Sequence, residues 1–442
     1  MGIRRSAKVI KMSDVFAGMS NEPYWWNDVP RQNVADSGVP GHVDVLIVGA
    51  GYTGLNAARI LARAGKSVLI CEQGFLGCGA STRNGGMLGP SFHKLGVKGL
   101  QAHYGKARTH NILRESIGFV DFMRDLLEAE NIDCDFRRVG RFRCASRPAH
   151  YEEMARAVDA QKVATGIEAE MLPAARVREE IGSDRFFGGV RYKIDAAVHP
   201  AKYHDGLVRI VQEARCNIST QTTVTSIAKQ ADGFEITTSK GIVKSGQVAV
   251  CTNGYTSKVT PWLNRRIMPV RSAIIATEKL PSELIDELMP TRRCYGDSRR
   301  IMAYYRTSPD DRRILFGGRA TSRDDAEKNA KLLRQSMLEV FPQLARHRIT
   351  HSWSGLVAYA FDHVPHLGQH DGLFYAMGYC GSGVARASFF GTKMAYKMLG
   401  EDEKGATAFD DLPFNSRPFY NGKPWFLPTI IRWHRFVDWL GI

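Results

Sequence analysis

The sequence predicts an α/β fold in which a parallel-sheet domain is interleaved with a domain built on an antiparallel sheet. An apolar run at residues 43–48, an amphipathic helix at 53–64 and a second apolar run at 67–71 have the order and length of a βαβ unit. Later segments at 267–277 and 314–318 alternate apolar and polar residues, as half-buried strands do. The 442 residues, 44% of them hydrophobic, suffice for two cores.

A glycine-rich turn, Gly49-Ala50-Gly51-Tyr52-Thr53-Gly54, joins the first predicted strand to the helix. Its first glycine permits a tight turn, its second lets the backbone approach a pyrophosphate, and its third lets helix and strand pack closely. The helix N-terminus adds free N–H groups and partial positive charge. Glu72 ends the second strand, 18 residues after Gly54 (72 minus 54), where a carboxylate can hold ribose hydroxyls. The unit predicts a Rossmann-like dinucleotide site, and leaves open whether the ligand is NAD or FAD.

The remaining elements are predicted from the same periodicities. They are a helix over 102–130, an antiparallel meander over 222–251, a strand over 301–306, and helices over 326–341 and 384–399. The last helix follows a second glycine-rich segment at 378–383. The polar N-terminal residues, which carry the aromatic cluster Tyr24-Trp25-Trp26, predict an extended arm over the surface.

The charge balance favours anionic partners. The chain has 60 Lys and Arg against 45 Asp and Glu, a formal net charge of +15 at pH 7. A dinucleotide, an acidic substrate, an anionic membrane surface and nucleic acid all fit this charge. No nucleic-acid recognition motif or arginine-rich aromatic stripe occurs, so nucleic-acid binding is not expected.

The cysteines indicate a reduced setting. Eight of them are scattered without the Cys/His spacing of a zinc site, so no metal site is predicted and a cytoplasmic location is expected. Charged residues interrupt the N-terminal segment before a signal-peptide core could form. No run approaches the ~18 apolar residues of a membrane-spanning helix.

A set of motifs runs in order from about residue 43 to 399. They are Gly49 to Gly54, Glu72, Gly79-Ala80-Ser81, Arg83-Asn84-Gly85-Gly86, His199-Pro200, Trp353-Ser354-Gly355, Asp362 to Pro365, and Gly378 to Val384. Together they resemble the D-amino-acid oxidase/glycine oxidase superfamily of flavoproteins. Within it, the chain is similar to the branch of γ-glutamylputrescine oxidases and related amine oxidases.

The resemblance implies a GR2-type FAD-binding domain with FAD at the domain interface. The N-terminus of the helix beginning near Gly383 would face the flavin edge that becomes negative on reduction. Non-covalent attachment is expected, because residues 357–361 contain no Cys; Cys380 is the cysteine expected nearest the ring. The implied cofactor-binding residues are Gly49, Gly51, Tyr52, Thr53, Gly54, Glu72, Gln73, Ala80, Ser81, Arg83, Asn84, Gly85, Gly86, Met87, Leu88, Val224, Thr252, Asn253, Gly254, Gly355, Gly381, Ser382, Gly383 and Val384.

The domain organisation is predicted on the same basis. Residues 1–40 form the N-terminal arm, and residues 403–442 form an amphipathic C-terminal tail. The predicted FAD-binding domain comprises 41–100, 183–260 and 340–402, and the predicted substrate domain comprises 101–182 and 261–339.

The expected reaction is FAD-dependent oxidation of a C–N bond in an amine or amino-acid-like substrate, with a γ-glutamylated amine as one candidate. Hydride would leave a carbon held about 3–3.5 Å from flavin N5, water would hydrolyse the imine, and O₂ would be reduced to H₂O₂. The predicted catalytic residues are Tyr305, Trp353, His366 and Ser382, and the predicted substrate-binding residues are Tyr304, Arg306 and Arg319. Tyr304 and Tyr305 alternate on one strand, so one of them is expected in the core.

Three alternatives stay open. The strand at 312–318 offers no Lys to assist O₂, and the aromatic, amphipathic tail at 424–442 could contact a membrane surface or dock on its own domain. A membrane-surface dehydrogenase of an imino or N-alkyl amino acid that passes electrons to quinone is therefore the first alternative. A nicotinamide-dependent dehydrogenase is the second, and a basic nucleic-acid-associated flavoprotein is the third.

Overall fold

A computed structural model describes residues 12–29, 38–90, 95–321 and 324–440, and the side chains within these ranges except those of 12, 13, 434, 435 and 438–440. The strands are β1 (His42–Val48), β2 (Val68–Cys71), β3 (Met87–Leu88), β4 (Arg141–Cys144), β5 (Ala169–Pro173), β6 (Gly188–Tyr192), β7 (Ala196–Ala197), β8 (Asn217–Ser219), β9 (Val224–Gln230), β10 (Gly233–Thr238), β11 (Gly241–Val250), β12 (Ile267–Thr277), β13 (Cys294–Asp297), β14 (Tyr304–Thr307), β15 (Ile314–Arg319), β16 (Ile349–Ala360), β17 (His366–His370) and β18 (Leu373–Met377).

The α-helices are α1 (Met12–Val15), α2 (Tyr52–Arg63), α3 (Gly96–Ile117), α4 (Phe119–Ala129), α5 (Pro148–Thr165), α6 (Pro200–Glu213), α7 (Pro261–Asn264), α8 (Ser282–Leu288), α9 (Ala326–Val340), α10 (Gly383–Met398), α11 (Asp402–Gly405) and α12 (Leu427–Leu440). Single 3₁₀ turns lie at Tyr24–Asn27, Ala80–Thr82, Ala174–Glu179, Asn253–Tyr255 and Pro342–Arg346.

The first sheet has the order β17-β18-β11-β1-β2-β8, with β10 and β9 continuing from β11. Strand β1 pairs in parallel with both β2 and β11, and Leu46 is opposite Leu69 on one side and Val248 on the other. The predicted βαβ unit and meander are confirmed. Helices α2, α4, α6 and α10 contribute buried apolar residues to the core on this sheet.

The second sheet has the order β16-β12-β15-β14-β13-β4-β6-β5. All its pairings are antiparallel except β13 with β4. A separate core lies against it, closed by α8 and α9. The α/β fold with an interleaved, largely antiparallel sheet is therefore as predicted.

The two sheets draw some of their strands from chain segments that the predicted domain division assigns to the other domain. Strand β6, from the segment 183–260, and strand β16, from the segment 340–402, both pair within the second sheet. Helices α3 and α4, placed in the substrate domain by the prediction, bury their apolar faces in the core of the first sheet. The helical stretch predicted over about 102–130 is present as two helices, because the chain breaks between α3 and α4 at Gly118; α3 itself bends at Gly105, where φ is +74°.

The two terminal segments also depart from expectation. The arm is not a surface strand in its described part: Trp25 is 0% exposed, and Ser20 pairs with the backbone of β16. Its residues 1–11 and 30–37 lie outside the described residues. After α11, Phe409 and Phe414 pack into cores of the molecule, so residues 403–420 are not part of an amphipathic tail.

Candidate active site

A cavity of about 1560 Å³ lies between the carboxyl ends of the parallel strands and one face of the second sheet. One end is lined by the first βα turn, by Glu72 and by the start of β9. The opposite side is lined by residues of β4, β12, β13, β14 and β16. Carboxyl ends of parallel strands are where open α/β sheets bind their ligands.

The first βα turn forms a cradle of backbone. Gly49 adopts φ +104°, and a Cβ at Gly54 would lie 2.1 Å from the Gly49 carbonyl oxygen, so helix α2 approaches the strand only because glycine stands there. Glu72 accepts hydrogen bonds from the Ala50 N–H (3.0 Å) and the Gly74 N–H (3.1 Å). The N-cap residue of α2, Gly51, makes no side-chain cap; the Tyr52 N–H donates to Ser81 Oγ (3.1 Å), and the following N–H groups of the first turn are left for an anion.

His204 stands behind this cradle. Its Nε2 lies 2.9 Å from the Ala50 carbonyl oxygen, and burial lowers the pKa of His204 to about 4. The ring is therefore neutral at pH 7 and can donate its N–H to that oxygen. It fixes the turn without adding charge.

A second helix N-terminus faces the cavity at α10. Gly381, Ser382, Gly383 and Val384 line the wall, and Ser382 makes no side-chain cap hydrogen bond. The preceding turn is tight, with φ +53° at Cys380 and +91° at Gly381. Uncapped N–H groups at the end of a 16-residue helix supply positive potential to that wall.

The loop at residues 79–86 is held by hydrogen bonds from distant parts of the chain. Trp25 Nε1 donates to the Asn84 carbonyl oxygen (2.8 Å), and Trp353 Nε1 donates to the Arg83 carbonyl oxygen (2.9 Å). Trp26 Nε1 donates to Thr82 Oγ1 at 2.9 Å. The buried Arg306 guanidinium donates to the carbonyl oxygens of Gly86 (3.1 Å) and Val198 (2.9 Å). The loop is thus fixed by its surroundings.

Tyrosines form part of the wall contributed by the second sheet. The Tyr304 hydroxyl is 2.9 Å from Ser272 Oγ, and its ring lies beside Gly85, where an added Cβ would be 3.4 Å away. The Tyr359 hydroxyl is 3.6 Å from the position of a Cβ at Gly381. Burial raises the pKa of Tyr304 to about 12 and also raises that of Tyr359, so both stay protonated at neutral pH.

Most of the predicted cofactor residues line the cavity. Gly54, Gly86, Leu88 and Gly254 do not, and their role is close packing behind the wall. A Cβ at Gly86 would lie 2.2 Å from the Val198 carbonyl oxygen, and one at Gly254 would lie 3.2 Å from atoms of Leu356. These glycines are needed for the shape of the site and do not contact its contents.

Three predicted catalytic residues and one predicted substrate residue lie outside the cavity wall. Tyr305 is 0% exposed and its ring stacks on Phe316 in the second core, as one of the two adjacent tyrosines was expected to do. Trp353 and Arg306 face the loop at 79–86 from behind. His366 is buried against Phe414 and lies 3.0 Å from Asp362. None of the four lines the cavity, whereas Tyr304, Arg319 and Ser382 do.

The sequence reading missed several cavity residues, including Tyr359, Arg141, Arg143 and Tyr192. The signal for two of them was present. Residues 141–144 read Arg-Phe-Arg-Cys, the alternation of a strand with one polar face. Among the described residues that line the cavity there is no lysine, and the described residues contain no group of three metal-ligating side chains.

The cavity fits a dinucleotide. It offers two uncapped helix N-termini, a carboxylate at the end of β2 and backbone made accessible by glycine, which together suit pyrophosphate, ribose and a planar ring. A Rossmann-like sheet with this cradle defines a class of nucleotide-binding oxidoreductases.

Comparison with known proteins defines the family. The family model for FAD dependent oxidoreductases (DAO) matches residues 44–397, and the chain belongs to that family. It is an oxidoreductase that uses FAD, and the nicotinamide alternative is set aside. The chain is 30% identical over 369 residues to a probable oxidoreductase OrdL of Haemophilus influenzae, covering 82% of this chain and 84% of that protein.

Two further similarities agree. The gamma-glutamylputrescine oxidoreductase of Escherichia coli is 30% identical over 382 residues, which cover 86% of this chain and 88% of that protein. The crystal structure of glycine oxidase from Geobacillus kaustophilus superposes with a TM-score of 0.70 at 21% identity, covering 86% of this chain and 99% of that one. The second similarity establishes the shared fold.

Proposed function

We propose that the protein oxidises a C–N bond of an amine or amino-acid-like substrate. The observation that carries the proposal is the continuity of the cavity from Glu72, past the loop at 79–86, to Tyr304 on the second sheet. A substrate on that sheet lies beside the loop that the family resemblance assigns to the flavin. The Escherichia coli relative, a gamma-glutamylputrescine oxidoreductase, supports a γ-glutamylated amine as one candidate substrate.

Held by the first βα turn, Glu72 and the loop at 79–86, FAD would supply the redox chemistry, namely acceptance of a hydride from the carbon next to nitrogen and transfer of two electrons to an acceptor. The substrate becomes an imine, and water converts it to a carbonyl compound and a free amine. With O₂ as acceptor, the balanced reaction consumes one substrate, one water and one O₂, and yields carbonyl, amine and H₂O₂.

Tyr304 positions the substrate and does not take its proton. Tyr304 stays protonated, since its pKa is about 12, and Asp195 and Asp297 are each paired with an arginine. In this proposal the amine enters the site already unprotonated, so that its nitrogen lone pair can assist the departure of hydride from the neighbouring carbon. The tyrosine hydroxyls can hydrogen-bond the substrate nitrogen or a neighbouring oxygen.

The wall at α10 stabilises negative charge in its neighbourhood. N–H groups at Gly383 and Val384 have no competing side-chain cap, so they are preorganised for an anionic group. FAD is held non-covalently in this proposal. Cys380 donates its thiol hydrogen to the Gly378 carbonyl oxygen at 3.1 Å, so the thiol is already engaged.

The test is a panel of γ-glutamylated amines, N-alkyl amino acids and cyclic imino acids mixed anaerobically with the holoenzyme. Bleaching of the flavin band near 450 nm by at least one class, with release of carbonyl product, is the expected result. Acid precipitation should leave all the yellow colour in the supernatant. A flavin that no C–N compound reduces would contradict the proposal.

A second candidate is a dehydrogenase that passes electrons to quinone at a membrane surface. The position of α12 favours it, because this helix begins at the cavity with Leu427. Trp433 on the helix is 61% exposed, and Trp425 just before it is 70% exposed. Aromatic side chains of this kind suit a membrane interface. No helix among the described residues is long and apolar enough to cross a membrane.

Liposome flotation separates the two candidates. The dehydrogenase predicts that the intact protein floats with anionic liposomes, that a chain ending at residue 423 does not, and that a soluble quinone reoxidises the enzyme faster than O₂. The oxidase predicts equal behaviour of the two chains and rapid formation of H₂O₂.

A further inference from the structure

Strand β4 turns two arginines toward the cavity. Phe142 and Cys144 are buried in the second core, whereas Arg141 and Arg143 alternate with them and line the cavity wall. Both strands that flank β4 contribute to the same wall, Tyr192 from β6 and Gly296 from β13. The wall therefore carries two guanidinium groups on one strand.

The arginines of this wall differ in their partners. Arg141 Nε lies 2.7 Å from Asp195, and Arg299 Nε lies 2.6 Å from Asp297, so two cations are neutralised by two buried carboxylates. Within the part of the chain that the structure describes, no hydrogen bond or ion pair holds Arg143. It is accessible from the cavity, yet desolvation by the surrounding protein lowers its pKa. A guanidinium that faces the cavity without an ion pair keeps its N–H donors for an anion that enters.

The sheet register places this charge relative to the loop at 79–86. Arg143 is opposite Gly296, and Gly296 is opposite Tyr304, whose ring contacts the position beside Gly85. Adjacent strands are about 4.8 Å apart, so the Arg143 and Tyr304 backbones are roughly 10 Å apart. The free cation thus lies well beyond the point at which the substrate meets the flavin loop.

The groups around Arg143 suit the carboxylate of an organic molecule. Tyr192 and Gln161 line the same part of the cavity, and the Tyr192 hydroxyl donates to Gln161 Oε1 at 3.0 Å. They offer neutral hydrogen-bonding groups. Asp297 and Glu153 attract the guanidinium electrostatically, but neither forms an ion pair with it among the described residues, and Asp297 is held by Arg299. A carboxylate matches the two-pronged geometry of arginine.

We infer that Arg143 binds a carboxylate at the end of the substrate remote from the C–N bond that is oxidised. The inference rests on the proposed function and deepens it. The substrate class is an elongated amine that carries an acidic group several bonds from the reacting carbon. Simple alkylamines, which have no such group, are poor substrates.

The test uses a pair of probes that differ in one charge, 6-aminohexanoate and 6-aminohexanamide. Their dissociation constants are measured by calorimetry on the flavin-loaded wild type and on Arg143→Met, Arg143→Lys and Arg156→Met. Arg156 is an exposed arginine on α5 outside the cavity, so its loss changes the net charge by the same single unit. The 450 nm absorbance confirms that each variant retains FAD.

The wild type should bind the carboxylate about 10- to 100-fold more tightly than the amide, as expected for a charge-assisted hydrogen-bonded pair. Arg143→Met should reduce that ratio to about one, Arg143→Lys should keep part of it, and Arg156→Met should keep all of it. A ratio that Arg143→Met leaves unchanged, or a wild type that shows no preference for the carboxylate, overturns the inference.

Anaerobic flavin reduction by the same pair separates this inference from the proposed function. Charge-dependent binding without any bleaching by amines would leave the anion subsite standing and count against C–N oxidation. Bleaching by both probes at equal rates in wild type and Arg143→Met would support C–N oxidation and remove the subsite.

Discussion

The two walls of the cavity differ in the partners of their polar groups. In the loop at residues 79–86, the carbonyl oxygens of Arg83, Asn84 and Gly86 each accept a hydrogen bond from a distant side chain. On the facing sheet, Arg143 has no partner among the described residues. A loop whose carbonyl oxygens are held by these donors is preorganised for a constant occupant, whereas a cation without an ion-pair partner is neutralised when an anionic ligand binds. The first suits a resident cofactor, and the second suits a substrate.

The loop at residues 79–86 should lose its shape and its cofactor when its close packing is disturbed. Gly86→Ala forces a Cβ to within 2.2 Å of the Val198 carbonyl oxygen at φ +65°, so we expect a loss of about 2–4 kcal/mol in stability and purification with little FAD. Gly166→Ala is the matched control, since Gly166 has φ +69° and open space around it, and should cost about 1 kcal/mol while retaining FAD. Thermal unfolding and the ratio of 450 to 280 nm absorbance measure both. Equal flavin content in the two variants would show that the loop tolerates displacement.

Substitution of Asp362, a buried group that does not line the cavity, should change the stability of the protein and not its activity. Burial by itself would raise the pKa of Asp362, but hydrogen bonds from His366 and Tyr104 bring it below its ordinary value. The stabilisation is therefore complete above the unfolded-state pKa of about 3.9 and is lost as pH falls through the lower folded-state value. Asp362→Asn should lose about 2 kcal/mol at pH 7 and flatten the decline in unfolding midpoint below about pH 4. A large fall in kcat with unchanged stability would instead return His366 and its partner to the active site.

Removal of one hydrogen bond to the loop at residues 79–86 should weaken FAD binding without unfolding the protein. Trp25→Phe keeps a buried aromatic ring and leaves the Asn84 carbonyl oxygen without its donor, so FAD affinity should fall about ten-fold. Trp425→Phe, at a residue that is 70% exposed, should leave the affinity unchanged. Fluorescence titration of apoprotein with FAD gives both constants. Unchanged affinity in Trp25→Phe would mean that the arm packs on the loop without positioning it.

The smallest effect is expected at Tyr304. Its pKa of about 12 keeps it neutral across the working range, so Tyr304→Phe should lower kcat/KM by no more than a few-fold and leave the pH profile between 6 and 10 unchanged in shape. The fall reflects loss of the hydrogen bond shared with Ser272. Disappearance of a pH-dependent limb in the variant would identify Tyr304 as a base.

Most of the predicted cofactor residues line the cavity, whereas only Tyr304, Arg319 and Ser382 of the predicted substrate-binding and catalytic residues do, for a physical reason. Pyrophosphate recognition is local: it needs glycines and a helix start within one βαβ unit, so Gly49 to Glu72 could be read directly. The proposed substrate recognition is assembled across a sheet, where register and not sequence spacing brings Arg143 and Tyr304 onto one wall. Trp353 and Arg306 illustrate the converse, because aromatic and basic residues near a motif can support it from behind.

The most direct test of the division between the two walls compares Trp25→Phe with Arg143→Met in the same two assays, FAD affinity and the preference for 6-aminohexanoate over 6-aminohexanamide. Trp25→Phe should weaken FAD about ten-fold and leave the preference of the reloaded enzyme intact. Arg143→Met should abolish the preference and leave FAD affinity unchanged. If either variant changes both properties together, the two walls are not independent and this account of the cavity is wrong.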